Sequence, residues 1–129
     1  MAELGVFDEP KDKWIQYDED TEVQIRHIGK EELRKINLKA AKTAKLTGVD
    51  SVAINNKMVG RAAVLGWRKI DDHSHPGLKM KGQPLPFTQE NIDMLMRRSL
   101  EFSNFVNENC LDSKLFLDEI EEKEETKNA

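Results

Sequence analysis

The sequence predicts an α+β fold, a small, mainly antiparallel sheet of about three strands packed against three to four helices. Three observations lead there. Two short stretches around an acidic turn, Trp14-Ile15-Gln16-Tyr17 and Thr21-Glu22-Val23-Gln24-Ile25-Arg26, have the aromatic, β-branched and alternating makeup of strands. A third such stretch, Val64 to Ile70, lies much further along. Between and after them apolar residues recur at helical spacing. No repeat or low-complexity linker intervenes, so a single domain is expected over 13–120, with a loose lead-in at 1–12 and an acidic tail at 121–129.

Residues 1–12 carry scattered charge and end near Pro10, with Phe7 suited to tuck onto a core. Trp14 to Tyr17 forms the first strand, Asp18-Glu19-Asp20 the turn, and Thr21 to Arg26 the second strand. Its alternation directs Val23 and Ile25 to the core and Glu22, Gln24 and Arg26 to water or a partner. From Lys30 to Leu46 the spacing becomes helical. Leu33, Ile36, Ala40 and Ala44 share one stripe, Arg34, Lys35, Lys39, Lys42 and Lys45 lie largely off it, and Gly48 ends the helix. A second helix follows, capped by Asp50 or Ser51, with Val52, Ile54, Met58, Val59 and Ala62 apolar and Gly60 a soft break. Val64 to Ile70 is the third strand, and it needs the hairpin as partner because a lone strand leaves its backbone groups unsatisfied.

Asp71 to Pro86 holds Pro76, Gly77, Gly82, Pro84 and Pro86, a density of turn formers that predicts a surface crossing without regular structure. Thr88 caps the next helix, with Gln89, Glu90 and Asp93 near its positive end and Phe87 placed as a hydrophobic staple on Ile92. Ile92, Leu95, Met96, Phe102, Val106 and Cys110 predict one continuous helix, its face widened by Met94, Leu100 and Phe105. Asp112 restarts the chain as the cap of a last helix bearing Leu115, Phe116 and Ile120, before Glu119-Glu121-Glu122-Glu124-Glu125 makes it acidic.

Composition bounds the function. At 129 residues, with 34% charged and 38% hydrophobic residues, the chain supports one modest core and no large ligand cavity. The single cysteine, Cys110, excludes an internal disulfide and any zinc site built on paired cysteines, and it suits a reducing cytoplasm. The N-terminus lacks the basic start and apolar run of a signal peptide, and no apolar stretch is long enough to span a membrane. The net charge of −4 is unevenly spread: residues 1–29 carry −5, residues 30–69 carry +7 and residues 70–129 carry −6. A basic middle between acidic ends fits ends that fold back, or copies that associate with opposite charges facing. It also fits a nucleic-acid footprint, although no aromatic residue lies between Lys30 and Gly66 to stack on bases.

The candidate chemistry is sparse. Asp71-Asp72-His73-Ser74-His75 gathers metal-ligand types, but adjacent ligands in a turn rarely close a site, and no second ligand group complements them. Asp18, Asp20 and Glu22 mimic the opening of a calcium loop whose Gly and Glu positions are here Val23 and Gly29. Gly77 and Gly82 have phosphate-loop spacing, yet Gln83 and Pro84 stand where Lys and Ser or Thr are required. Cys110 lies on an apolar stripe near Glu108 and Asp112, the setting of a packed thiol and not of a nucleophile. His27, at a strand end, is a structural or solvent-facing group able to titrate near neutrality. No catalytic, cofactor or metal-binding residue is assigned, and a non-enzymatic role is expected.

Two regions carry a family likeness. Trp14-Ile15-Gln16-Tyr17, Glu22-Val23-Gln24-Ile25-Arg26 and the helix from Lys30 form the first. Gly66-Trp67-Arg68-Lys69-Ile70, Gly82-Gln83-Pro84-Leu85-Pro86-Phe87-Thr88-Gln89-Glu90-Asn91 and the helix ending near Asn109 form the second. In this order of landmarks the chain resembles the tail assembly chaperones of long-tailed bacteriophages and prophages. It departs from their pattern at His73 to Lys81, which lengthen a crossing that usually runs quickly from the Trp strand into the Gly-x-Pro step. The resemblance implies a protein outside the finished virion that holds the aggregation-prone tape measure protein in solution and helps bring tail tube subunits to it. Self-association, no cofactor and action in the bacterial host cytoplasm complete the expectation.

Leu115, Phe116 and Ile120 are the expected partner-binding residues, together with the exposed hairpin, against an alternative in which they pack in the core. The competing function is a phage or prophage regulator that binds nucleic acid through the basic 30–69 region, with Lys35, Lys39 and Lys42 prominent. A small metal-dependent enzyme centred on Asp71 to His75 ranks last.

Overall fold

The computed structural model describes residues 2–117. Its fold is α+β. Strands β1 (Asp12–Gln16), β2 (Thr21–Arg26) and β3 (Val64–Lys69) form one antiparallel sheet in the order β1-β2-β3. The helices α1 (Lys30–Thr47) and α2 (Ser51–Ala63) make a hairpin inserted between β2 and β3, and α3 (Gln89–Arg98) and α4 (Leu100–Leu111) follow the crossing. Residues 113–117 are again helical.

The acidic turn between β1 and β2 is built by local hydrogen bonds. Asp18 Oδ1 accepts from the Asp20 and Thr21 amides, which aligns the strands so that Ile15 opposes Val23. Alternation then does what the sequence predicts: Val23 and Ile25 are fully buried, with Trp67 of β3 opposite Val23. On the other face Gln24 Nε2 donates to Asp12 Oδ1, Arg68 pairs with Glu22 at 2.6 Å, and the Arg68 guanidinium lies 3.7 Å above the Trp14 ring. The residues expected to face a partner are thus engaged within the chain, Glu22 by Arg68, Gln24 by Asp12 and Arg26 by Glu32.

The core lies between the inner sheet face and α2, α3 and α4, where Val59, Ile92, Met96, Phe102, Val106 and Cys110 meet Val23, Ile25 and Trp67. Phe102 touches Trp67 edge-on at 6.0 Å and Tyr17 at 5.9 Å, and Trp67 Nε1 donates to the Leu85 carbonyl at 2.8 Å. Arg26 ties the sheet to both helices of the hairpin: its Nε donates to the Ala62 carbonyl and its fork grips Glu32.

Three local expectations are corrected. First, the crossing contains regular structure, a minimal hairpin of β4 (Lys79–Met80) and β5 (Gln83–Pro84). Its two-residue turn, Lys81-Gly82, has positive φ at both positions, the geometry that matches the twist of paired strands and that Gly82 makes easy.

Second, the long helix is two helices. Ser99 is extended, donates its amide to the Leu95 carbonyl to close α3, and accepts from the Phe102 amide to open α4. An unbroken helix would carry Ser99 on its buried face. The break re-phases the chain, so Phe102 enters the core and Leu100 stands in water. Third, Gly60 does not break α2. It lies mid-helix where a Cβ would overlap Met96 Cγ, so it marks the closest approach of α2 to α3. Phe87 packs edge-on against Trp67 at 4.9 Å, anchoring the crossing to the sheet.

His27 sits between two aromatic rings, Phe7 at 5.3 Å and Phe116 at 5.2 Å, so the lead-in does reach the core through Phe7. Burial, assisted by the Arg26 charge, pushes the His27 imidazole below its ordinary value of 6.5, with Glu32 and Asp112 opposing. A base with a lowered folded pKa binds fewer protons folded than unfolded. Its contribution is therefore fully present above the unfolded value and is lost as pH falls through the lower folded value. Glu32, held down by its hydrogen bond from Arg26, acts in a separate window below 4.5. The urea midpoint should fall between about pH 7.5 and about pH 5.5, and His27→Gln should flatten that fall. An unchanged slope in His27→Gln would remove His27 as the cause.

Candidate partner-binding surface

The α1–α2 hairpin leaves the most apolar side chain in water. Helix α1 runs for 18 residues, about 27 Å, and buries only Ala40 completely, with Leu33 and Ile36 partly packed on the core. Its partner along this length is α2, to which Asn37 is joined by a hydrogen bond from Asn55. The far end is closed by local bonds: Gly48 donates to the Ala44 carbonyl, Thr47 Oγ1 bridges the Thr43 carbonyl and the Val49 amide, and Asp50 caps α2 by accepting from Val52. Because these bonds fix the tip, its side chains need no tertiary contact. Leu46 is 80%, Val52 63% and Val49 51% exposed around the turn, and Leu38 is 58% exposed along the same helix. An apolar group of this kind held in water makes the tip a candidate interaction surface.

Beside the tip, α2 and α3, with Thr43 and Thr47 of α1, line a groove of 560 Å³. Ala53, Lys57 and Arg61 line it from α2 in steps of four residues, and Glu90, Asp93, Met94 and Arg97 line it from α3 in steps of three and four, so each wall is about two helical turns. Ile54, Met58, Met94 and Val49 supply its apolar part. Arg61 braces the walls by a bidentate pair with Asp93 at 3.0 and 2.7 Å, and this hydrogen bonding holds the Asp93 carboxyl below its ordinary range. Among the described residues Lys57 and Arg97 enter no ion pair.

The basic middle of the chain divides in two. Arg61 and Arg68 pair with Asp93 and Glu22 from the flanking segments, an intramolecular use of the charge asymmetry. Arg34, Lys35, Lys39, Lys42 and Lys45 of α1 instead stand exposed, in no ion pair among the described residues.

The expected contact residues lie elsewhere. Phe116 is 4% exposed and packs on His27, while Leu115 is partly buried against the core. Phe116 is therefore core, drawn in by the aromatic ring of His27, and not an open binding surface. Ile120 and the tail at 121–129 lie outside the described residues. The hairpin tip was missed although its signal is in the sequence, since Leu38 and Leu46 interrupt the lysine face of α1 away from the Leu33, Ile36 and Ala40 stripe.

The chemical candidates are committed to structure. Asp72 Oδ1 accepts from the Ser74 amide and hydroxyl, His75 Nδ1 accepts from the Gly77 amide, and His73 points toward Glu22 at 3.9 Å. Among the described residues no three His, Cys, Asp or Glu side chains converge as metal ligands. Cys110 is fully buried, and desolvation pushes its thiol up to about 12, so it is protonated at neutral pH. Among the described residues no helix is long and apolar enough to cross a membrane.

The sequence matches no family model. Neither a curated protein nor a solved structure matches it either.

Proposed function

We propose that this chain is a non-enzymatic tail assembly chaperone, acting in the bacterial host cytoplasm, that binds the tape measure protein of a long-tailed phage or prophage, keeps it soluble and helps recruit tail tube subunits. The observation that carries the reading is the α1–α2 tip, where Leu46, Val49 and Val52 are held more than half exposed by local hydrogen bonds. A stable domain with an apolar tip can cover a partner's apolar stripe while its charged remainder stays hydrated, and several copies on one long partner would gain by avidity. The order of landmarks from Trp14 to Asn109 adds the family to this physical reading.

Co-expression with the long helical proteins encoded nearby, followed by affinity capture and light scattering, tests it. Recovery of an otherwise insoluble tape measure protein with several copies of this chain is expected. The triple variant Leu46→Ser/Val49→Ser/Val52→Ser should keep its melting temperature and lose the rescue. Rescue that survives the triple variant would remove the tip from the mechanism.

The exposed cations of α1 favour one other reading, a nucleic-acid-binding regulator. It requires capture of duplex DNA with an affinity that falls steeply with salt and drops when Lys35, Lys39 and Lys42 are neutralised.

A further inference from the structure

We propose that the groove between α2 and α3 receives an amphipathic helix with acidic flanks, laid along the groove with its apolar stripe on Ile54, Met58 and Met94. This inference rests on the chaperone reading and specifies the partner's chemistry. Three features of the groove define the occupant. Each wall is one helix face about two turns long, a length and shape that match a helix better than an extended strand, which would need a free sheet edge. The floor contains two methionines, whose unbranched side chains adapt to varied apolar sequences, as a protein covering many successive stripes of a long partner requires.

Charge then selects among helices. The Arg61–Asp93 pair is internally neutralised, which leaves Lys57 and Arg97 against Glu90 on the rim. Thr43 and Thr47 of α1 also line the groove, and the same helix carries the exposed cations Lys39, Lys42 and Lys45. A helix entering with glutamates or aspartates beside its apolar stripe meets this positive field, whereas a lysine-flanked helix is repelled by it. The exposed tip at Val49 continues the apolar floor, so groove and tip form one surface.

Two synthetic 18-residue helical peptides with the same leucine stripe, one flanked by glutamate and one by lysine, test the proposal by fluorescence anisotropy against the full chain. The acidic peptide should bind at least about tenfold tighter, with the preference shrinking as salt rises. Ala53→Glu, an exposed helical site where a good helix former leaves the fold intact, should abolish binding. The double variant Lys57→Glu/Arg97→Glu should reverse the preference toward the lysine peptide. Equal binding of both peptides, or binding that Ala53→Glu leaves unchanged, overturns the proposal.

Sedimentation under the same conditions identifies the competing occupant. A wild-type oligomer that Ala53→Glu converts to monomer, with neither peptide bound, would place a second copy of this chain in the groove and overturn the proposal. Failure of the two readings is separable. Peptide binding as described without rescue of a tape measure protein would sink the chaperone function and leave the groove standing. Rescue by Ala53→Glu equal to wild type would do the opposite.

Discussion

Phe102→Ala lowers the unfolding free energy by about 3–5 kcal/mol, the range for emptying a fully buried aromatic site. The ring is 1% exposed and contacts both Tyr17 and Trp67, so its removal opens a cavity at the junction of α4 with the sheet. Against a typical total of roughly 5–15 kcal/mol, a loss of that size is enough to leave the domain marginal. Urea unfolding followed by the fluorescence of Trp14 and Trp67 measures it as a lower midpoint at unchanged slope. Leu100→Ala, two residues away on the same helix, should cost close to nothing because Leu100 is 76% exposed. The contrast tests the break at Ser99. Comparable losses at both positions would mean that α3 and α4 run on as one helix with both residues packed.

Gly60→Leu should destabilise the protein by about 1–3 kcal/mol or more through overpacking, and it should also reduce partner capture. Two effects oppose each other at this position. A side chain raises helix propensity by up to about 1 kcal/mol relative to glycine, but it must enter space already held by Met96 and Ile92. Overpacking wins because Met96 is buried and the obstructing atom is Cγ, near the start of its side chain. A leucine wedge there moves α2 from α3, and those helices are the walls of the groove. Pairing Gly60→Leu with Met96→Ala should recover part of the stability, since the second change vacates the space the first one needs. A Gly60→Leu protein as stable as wild type would show that the helices do not meet there.

The elements themselves were readable because their causes are local. Asp18 holds the turn, Val23 and Ile25 alternate, Gly48 ends α1, and Asp50 and Thr88 cap their helices through side chains a few atoms from the amides they satisfy. The break at Ser99 was also written locally, in a serine at a phase where an unbroken helix would bury it. The apolar residues on both sides masked it by matching one continuous stripe. The β4–β5 hairpin was hidden by its brevity, two residues a side in a segment dominated by turn formers.

The candidate surface was harder to read. Leu115, Phe116 and Ile120 form the apolar side of a short last helix in the sequence, yet Phe116 is drawn in by the His27 ring from a strand far away in the chain. Conversely, Leu46, Val49 and Val52 carry apolar side chains as a core residue would, and remain in water because, among the described residues, no element comes back over the tip.

Hydrogen bonds and spacings a few residues long were sufficient to specify an α+β chain with a three-stranded sheet and capped helices. Which apolar residues are covered, where α2 meets α3, and which cations pair with a carboxylate depend on segments separated by many residues. Those outcomes followed from how the segments pack, since burial and ion pairing are properties of what comes together in space and not of neighbours along the chain.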